Sequence, residues 1–364
     1  MFLRSENRSP TILITGGAGF IGVNLSAHLL ATTDARVTVF DNLSHPGSEH
    51  NLAWLEAQAG KGRLNFVRGD IRSAARVIEE TKKADEIYHL AARCEGGQES
   101  KTDFDVNVSG TLNVLEAARC SGRSPMVVYV STSKVYGELR SLPLIRETNR
   151  YSPADPSFRG VSERMPVDFY SPFHCSKGAA ERYVSDYGRF YNLPTVILRA
   201  DTVVGPRQFA DASHGWVAHC IYSTLAGRPF WIRESGLQVR DLLHVSDLVE
   251  AIMAARAYLG MTTGKVYNVG SGMAHSLSVF ELMMLVEQVC HRKPKIQYEA
   301  AKPGDRLLYV GDPTAFFADT GWIARRPAEQ AIRDISCFWH ANQAHMAHPA
   351  ERLALPARRW RHAA

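Results

Sequence analysis

The segment Phe173-His174-Cys175-Ser176-Lys177 places an aromatic ring four residues ahead of a lysine, at the start of a predicted helix. At that spacing both side chains leave one helical face. An ammonium beside a phenol lowers the phenol's pKa and readies it to take a proton. Phe173 supplies the ring without the hydroxyl. Lys177 sits among small and apolar neighbours, Cys175, Gly178, Ala179 and Ala180, where it can bond a ribose and tune a nearby acid. Thr132, in the run STSKVYG (131–137), follows an apolar strand and offers a hydroxyl to a sugar oxygen as charge forms there. The alternative for Thr132 is a structural threonine that closes a buried strand.

A second constellation points to a dinucleotide. In TGGAGFIG (15–22) Gly16 permits a tight turn, Gly19 lets the backbone approach a ligand, and Gly22 lets the helix opened by Phe20 and Ile21 pack on its strand. The free N–H groups and dipole at that helix start suit a pyrophosphate. Asp41, with Asn42 beside it, ends the next strand about 20 residues on, where a carboxylate binds the ribose diol of NAD and repels the 2′-phosphate of NADP. A turn or helix cap is the bland alternative for Asp41. Asp70-Ile71 resembles the pair that brackets adenine, and Leu90-Ala91-Ala92 is small enough for a dinucleotide to lie against backbone.

These residues need a frame, and the hydrophobic pattern supplies one. Strand candidates TILIT (11–15), RVTVF (36–40), LNFVR (64–68), EIYHL (86–90), MVVYV (126–130) and TVILR (195–199) alternate with helical stretches such as Val106 to Ala118 and His174 to Tyr191. Near-continuous apolar strands separated by helices predict a doubly wound parallel sheet of the Rossmann kind. The Pro-, Arg- and Ser-rich stretch from Pro143 to Tyr170 is expected to be a loop across the open sheet edge. Beyond Gly205 the pattern is mixed, with short strands around Phe230, Val239 and Val266 and helices near 246–258, 276–290 and 327–340. The expected organisation is a Rossmann domain over 10–200 with interleaved later segments, a smaller mixed α/β lobe over 201–340, and a basic, disordered tail over 341–364.

Composition bounds the rest. The 364 residues are 45% hydrophobic and 22% charged, with a net charge of +5, values ordinary for a globular protein. Much of the positive excess lies in the tail, at Arg352, Arg358, Arg359 and Arg361, so no nucleic-acid partner is expected. The six cysteines (94, 120, 175, 220, 290, 337) lack C-x-x-C pairing and read as reduced thiols, and the histidines lack the spacing of a metal site. No stretch reaches the ~18–20 apolar residues of a membrane helix. The expectation is a cytoplasmic protein with neither membrane nor metal partner.

Taken in order, TGGAGFIG, Asp41-Asn42-Leu43-Ser44, STSKVYG, SPFHCSKGAAE (171–181), GPRQ (205–208) and RDLLHVSDLV (240–249) resemble extended short-chain dehydrogenases that act on nucleoside-diphosphate sugars. Within them, the CDP-paratose (CDP-tyvelose) 2-epimerase type is the most similar. The resemblance implies tightly held NAD, a C-terminal lobe that binds a nucleoside-diphosphate sugar, and a homodimer with a four-helix seam made by the helices at 104–120 and 174–191. It makes Thr132 the sugar-contacting hydroxyl, Phe173 the position of a catalytic tyrosine, and Lys177 its partner and a cofactor ligand. Asn107 becomes the helix residue that supports a proton-relay water. Ser133, Thr202, Arg207, Arg240 and Arg306 fall at substrate-contacting positions, where arginine suits a diphosphate.

The implied reaction oxidises one sugar carbon transiently and returns the hydride to its other face. Losing the base to Phe173 is expected to slow this by about 10²–10⁴-fold. An engineered Tyr→Phe substitution explains an otherwise intact site. A natural variant using His174 or another base, and a non-catalytic NAD- and nucleotide-sugar-binding protein, are the alternatives; a lone helical histidine more often faces solvent. Among enzymes, a 4,6-dehydratase needs Asp-Glu after the threonine where this chain has Ser133-Lys134. A 4-epimerase uses the same core residues. Lys302 replaces an arginine of the pattern, and Arg93 to Ser100 departs from it at the sugar pocket.

Overall fold

A computed structural model describes residues 9–93, 100–211, 214–300 and 305–345. In chain order the first half runs β1 (Thr11–Thr15), α1 (Phe20–Thr32), β2 (Arg36–Asp41), α2 (Ser48–Gln58), β3 (Leu64–Arg68), α3 (Ala74–Thr81), β4 (Glu86–His89), α4 (Ser100–Asp103), α5 (Gly110–Cys120) and β5 (Met126–Thr132). A short hairpin, β6 (Leu144–Arg146) and β7 (Tyr151–Pro153), precedes α6 (Pro172–Phe190), β8 (Thr195–Ala200) and β9 (Thr202–Val204). There follow α7 (Trp216–Leu225), β10 (Pro229–Arg233), β11 (Val239–Arg240), β12 (Leu242–His244), α8 (Val245–Ala257), α9 (Leu259–Thr262) and β13 (Lys265–Val269). The chain continues through β14 (Leu277–Ser278), α10 (Val279–Cys290), β15 (Lys295–Glu299), α11 (Thr314–Thr320) and α12 (Ala328–Asn342).

Seven strands form one parallel sheet in the order β13-β8-β5-β4-β1-β2-β3. Alternate residues of each strand feed opposite faces, as the pleat requires. Ile12, Ile14, Tyr88, Val128 and Leu198 pack with α1 and α8 through Val23, Leu29, Leu248 and Ile252. Leu13, Ile87, Val127, Tyr129 and Ile197 pack on the other face with α3, α5 and α6 through Val77, Leu115, Ala180 and Val184. Both faces are therefore covered, which explains why these strands read as unbroken apolar runs. The chain reverses its winding between β1 and β4, and ligands of such sheets bind beyond the carboxyl ends of the strands at that point.

Val266 shows how a late segment joins the main sheet. Its strand, β13, pairs with β8 and closes one edge of the main sheet; it belongs to the Rossmann unit in space. The smaller lobe carries paired two-stranded sheets, β10 with β15, β11 with β14 and β12 with β9, around a core that includes Ile221, Phe230, Leu282 and Ile335. The stretch from Pro143 to Tyr170, read as a loop, contains the β6–β7 hairpin and packs Val161 fully buried against Gly311. The predicted helix from Val106 to Ala118 is interrupted: Phe104–Ser109 forms a π-turn that runs into α5. The described cysteines, Cys120, Cys175, Cys220, Cys290 and Cys337, are free thiols. Among the described residues no helix is long and apolar enough to cross a membrane, and no cluster of metal-ligating side chains is found. The tail arginines, Cys94, Lys302 and most of Arg93 to Ser100 lie outside the described residues.

Candidate active site

The glycine turn sits where the topology predicts. Gly16 has φ +70°, and a Cβ there would lie 2.7 Å from the Ala91 backbone nitrogen, so only glycine lets the loop meet the end of β4. A Cβ on Gly22 would come within 2.2 Å of the Gly16 carbonyl; this glycine serves helix–loop packing. Gly19 is different. Its added Cβ would meet only the Gly16 oxygen, at 3.2 Å. It is the N-cap of α1, with no side chain bonded across the helix start, so N–H groups remain open to an anion. Phe20 and Ile21, both half-buried, form the first turn of that helix.

Asp41 ends β2 and turns toward this loop. Its carboxylate accepts from the Ala18 N–H at 3.0 Å and the Leu43 N–H at 2.8 Å. Burial pushes its pKa up, against the pull of those backbone donors. Asn42 donates to Asp70 at 3.0 Å. Arg72 grips Asp70 with two nitrogens, at 2.9 and 2.7 Å, and holds its carboxyl down to about 2. Ile71 buries its side chain against Gly110, while its carbonyl accepts from Asn113 at 2.9 Å. Leu90, Ala91 and Ala92 continue from β4, half-buried. Turn, buried acid and small residues together fit a dinucleotide with an unphosphorylated adenosine ribose.

On the other side of the switch point, β5 and α6 hold the residues expected to do chemistry. Lys177 is 5% exposed, donates to the Val130 carbonyl at 3.0 Å and lies 4.3 Å from the centroid of the Tyr129 ring. Thr132 ends the same strand and accepts from the Lys134 N–H at 3.2 Å, leaving its own proton free to be donated. Phe173 is half-buried in the first turn of α6, and its carbonyl accepts from Ser176 at 2.8 Å. His174, expected at the surface, is instead 5% exposed, because the first turn of α6 is packed inward. Asn107 lies in the π-turn, donates to Ser176 at 2.8 Å and accepts from the Arg93 N–H at 2.8 Å. Irregular turns of this kind recur at functional sites.

The proposed substrate contacts divide into a cluster and an outlier. Ser133 and Arg306 both bond Asp201, Arg306 at 2.9 Å, and Arg306 also donates to the Ser133 carbonyl at 3.1 Å and hydroxyl at 3.0 Å. Thr202 donates to the same Asp201 at 3.0 Å. Arg240 adjoins them, donating to the Arg306 carbonyl at 2.7 Å and to Asp305 at 2.8 Å. Arg207 stands apart. With φ +73° it lays its guanidinium 3.8 Å from the centroid of the Trp54 ring, near Phe338, and its carbonyl accepts from Asn51. That stacking suits arginine, and burial draws its pKa down to about 10.

Sequence reasoning missed the polar frame beneath these residues. Glu181, one turn beyond Lys177, pairs with Arg199 in full burial and accepts from Ser131 at 2.8 Å. Arg199 also donates to the Tyr136 hydroxyl at 2.6 Å. The spacing 173, 177, 181 on one helical face and a lone arginine in the apolar strand TVILR were the available signals. Asp241, within RDLLHVSDLV, was missed as well; it accepts from Ser271 and from the Gly311 N–H, and burial pushes its pKa up to about 6.

Residues 12–270 match the NAD dependent epimerase/dehydratase family. This chain belongs to that family, and NAD is its cofactor. It is 35% identical over 337 residues to the CDP-paratose 2-epimerase of Salmonella typhi, covering 88% of this chain and 97% of that protein. It is 29% identical to the dTDP-glucose 4,6-dehydratase of Salmonella typhimurium, over 91% of this chain and 93% of the relative. Among solved structures, UDP-glucose 4-epimerase from Thermus thermophilus in complex with NAD superposes with a TM-score of 0.74 at 30% identity, over 91% of this chain and 99% of that one. UDP-glucose 4-epimerase from Thermotoga maritima shares the fold, with a TM-score of 0.78 at 24% identity over 92% and 99% of the two chains.

Proposed function

We propose that this chain is a nucleoside-diphosphate-sugar epimerase whose site lacks its proton acceptor because Phe173 occupies that place. Bound NAD supplies the acceptor and donor of hydride for the sugar carbon. Gly16, Gly19 and the start of α1 hold the pyrophosphate, Asp41 the adenosine ribose, and Asn42, Asp70 and Ile71 the adenine edge. Lys177 bonds the second ribose, and Asn107 orders the water beside it. Thr132 donates to the reacting sugar hydroxyl, while Ser133, Thr202, Arg240 and Arg306 line the substrate side. The observation that carries this reading is the meeting of Lys177 and Thr132 on β5: the ammonium bonds Val130, two residues before the threonine.

The 35% identity to a 2-epimerase favours that chemistry over dehydration. So does Ser133, which is fully buried and committed to Asp201 and Arg306, where an elimination would need a further free acid. A homodimer through a four-helix seam of the 104–120 and 174–191 segments is part of the proposal; Phe104, Tyr183 and Phe190 are exposed on them at 53%, 42% and 74%. Protein of this kind is expected in the cytoplasm.

Phe173→Tyr tests the function. The substituted and parent chains are assayed with NAD against CDP-, UDP- and dTDP-sugars, CDP-paratose included, with products resolved by chromatography. A gain of about 10²–10⁴-fold in the tyrosine form is the expected result. Equal activity in both chains would assign the base elsewhere, His174 being the nearest candidate in sequence. Silence in both would leave a protein that binds NAD and nucleotide sugars without turnover.

A further inference from the structure

One buried histidine lies between the cofactor half and the catalytic half of the site. His89 ends β4, 1% exposed, and its ring bridges two hydroxyls: Nδ1 is 2.6 Å from Thr15 Oγ1 and Nε2 is 2.9 Å from Thr111 Oγ1. The proton positions follow from the partners. Thr111 donates its only hydroxyl proton to the Asn107 carbonyl, 2.6 Å away, so toward His89 it can only accept. Nε2 therefore carries the ring proton. Burial, and then the nearby charge of Lys177, push the imidazole pKa down to about 3, so the ring is neutral and Nδ1 is an acceptor. Thr15 must then donate to Nδ1, and its oxygen accepts from the Ala91 N–H at 3.4 Å.

The result is a one-directional chain of hydrogen bonds: Ala91 to Thr15, His89, Thr111 and the Asn107 carbonyl. Asn107 then donates to Ser176, which donates to the Phe173 carbonyl. Thr15, His89, Thr111 and Asn107 are each 1% exposed, and Ser176 is 5%. One end is the dinucleotide bed, since Ala91 is the residue that the Gly16 turn touches. The other end is the first turn of α6. The π-turn is the joint between them.

We propose that His89 is a positioning residue, fixed as the Nε2–H tautomer, that couples the dinucleotide bed at Thr15 and Ala91 to Asn107 and the first turn of α6. Buried hydrogen-bond chains of uniform direction strengthen each member and have no alternative partner to fall back on. Cutting the Thr111 link removes the side-chain donor that ties the Asn107 carbonyl, in the π-turn, to His89.

The test uses the intact protein at pH 7, labelled with ¹⁵N-histidine and ¹⁵N-asparagine. The His89 and Asn107 side-chain signals are assigned by their loss in His89→Gln and Asn107→Ser. A neutral Nε2–H tautomer at His89, with both the His89 and Asn107 signals moving on addition of NAD, is the expected outcome. An Nδ1–H tautomer, an imidazolium, or signals that ignore NAD would overturn the proposal. Thr111→Val cuts the chain while leaving His89 in place, and is read by calorimetric NAD titration. It should weaken NAD by roughly tenfold, about 1.4 kcal/mol, in a protein that still folds but melts at a lower temperature, because the buried His89 Nε2–H loses its acceptor. A folded Thr111→Val protein with parental NAD affinity would sink the coupling, and neither readout depends on sugar turnover.

Discussion

Lys177 holds its ammonium 4.3 Å from the centroid of the Tyr129 ring, inside the protein and against the sheet. A buried cation over an aromatic face gains electrostatic attraction that partly offsets its desolvation. The Val130 carbonyl adds a charge-assisted hydrogen bond. Lys177→Met keeps the stem and removes the charge. It is expected to lower NAD affinity about 10-fold or more, as the loss of a hydrogen bond to a charged group does. It should also abolish whatever activity Phe173→Tyr restores, because a phenol without its cation stays protonated. Full activity in the Phe173→Tyr, Lys177→Met double variant would refute the role.

The glycine turn separates a folding role from a binding role. Gly22→Ala would force a methyl to within 2.2 Å of the Gly16 carbonyl, and backbone cannot yield cheaply. A drop in melting temperature, with NAD binding lost as a consequence, is expected. Gly19→Ala meets only one oxygen, at 3.2 Å. It should fold with a near-parental melting temperature and lose NAD affinity, because the methyl stands where a phosphate must approach the start of α1. Calorimetry and NAD titration on the two variants give opposite patterns; a shared pattern would contradict the division.

Much of the cofactor half was legible because its signals are local. The turn after β1, the acid ending β2 and the small residues after β4 each follow a strand by fixed offsets, and the parallel sheet places all three at one edge. The far half was less legible. Arg207, placed by its motif at a substrate contact, has a backbone in the left-handed region and lays its guanidinium on Trp54. Nothing in GPRQ announces a contact with an indole far earlier in the chain. His89 and Arg199, polar residues at the ends of apolar strands, and Thr111 and Asp201, in mixed stretches, were passed over for the same reason: the partner of each lies on another element. Long-range pairing, not local pattern, decides what such residues do.

Asp241 gives a pH signature with a definite sign. Burial raises its pKa from 3.8 to about 6, so between those values the folded state binds more protons than the unfolded state. Stability contributed at this position is therefore lost as pH rises from about 4 to 6. The shift corresponds to about 3 kcal/mol, an order-of-magnitude figure. Asp241→Asn cannot ionise, so the melting temperature of the parent relative to the variant should fall as pH climbs through that window. A difference that is flat from pH 4 to 7, by scanning calorimetry, would contradict the assignment.

Glu181 and Arg199 frame the last prediction. Both are almost fully buried, and Ser131 and Tyr136 satisfy what the pair leaves over. Removing one partner strands a charge in a medium that cannot solvate it, at a cost of about 3–5 kcal/mol. Replacing both with apolar residues of similar volume leaves no orphan charge and can be close to neutral. Glu181→Leu and Arg199→Met are each expected to lower the unfolding free energy by that amount in urea titrations. The double variant should recover most of the loss in stability while, in the Phe173→Tyr background, still losing the activity that substitution restores, because Ser131 precedes Thr132 and would no longer be held. Additive losses in the double variant would show that the pair acts through something other than its mutual charge.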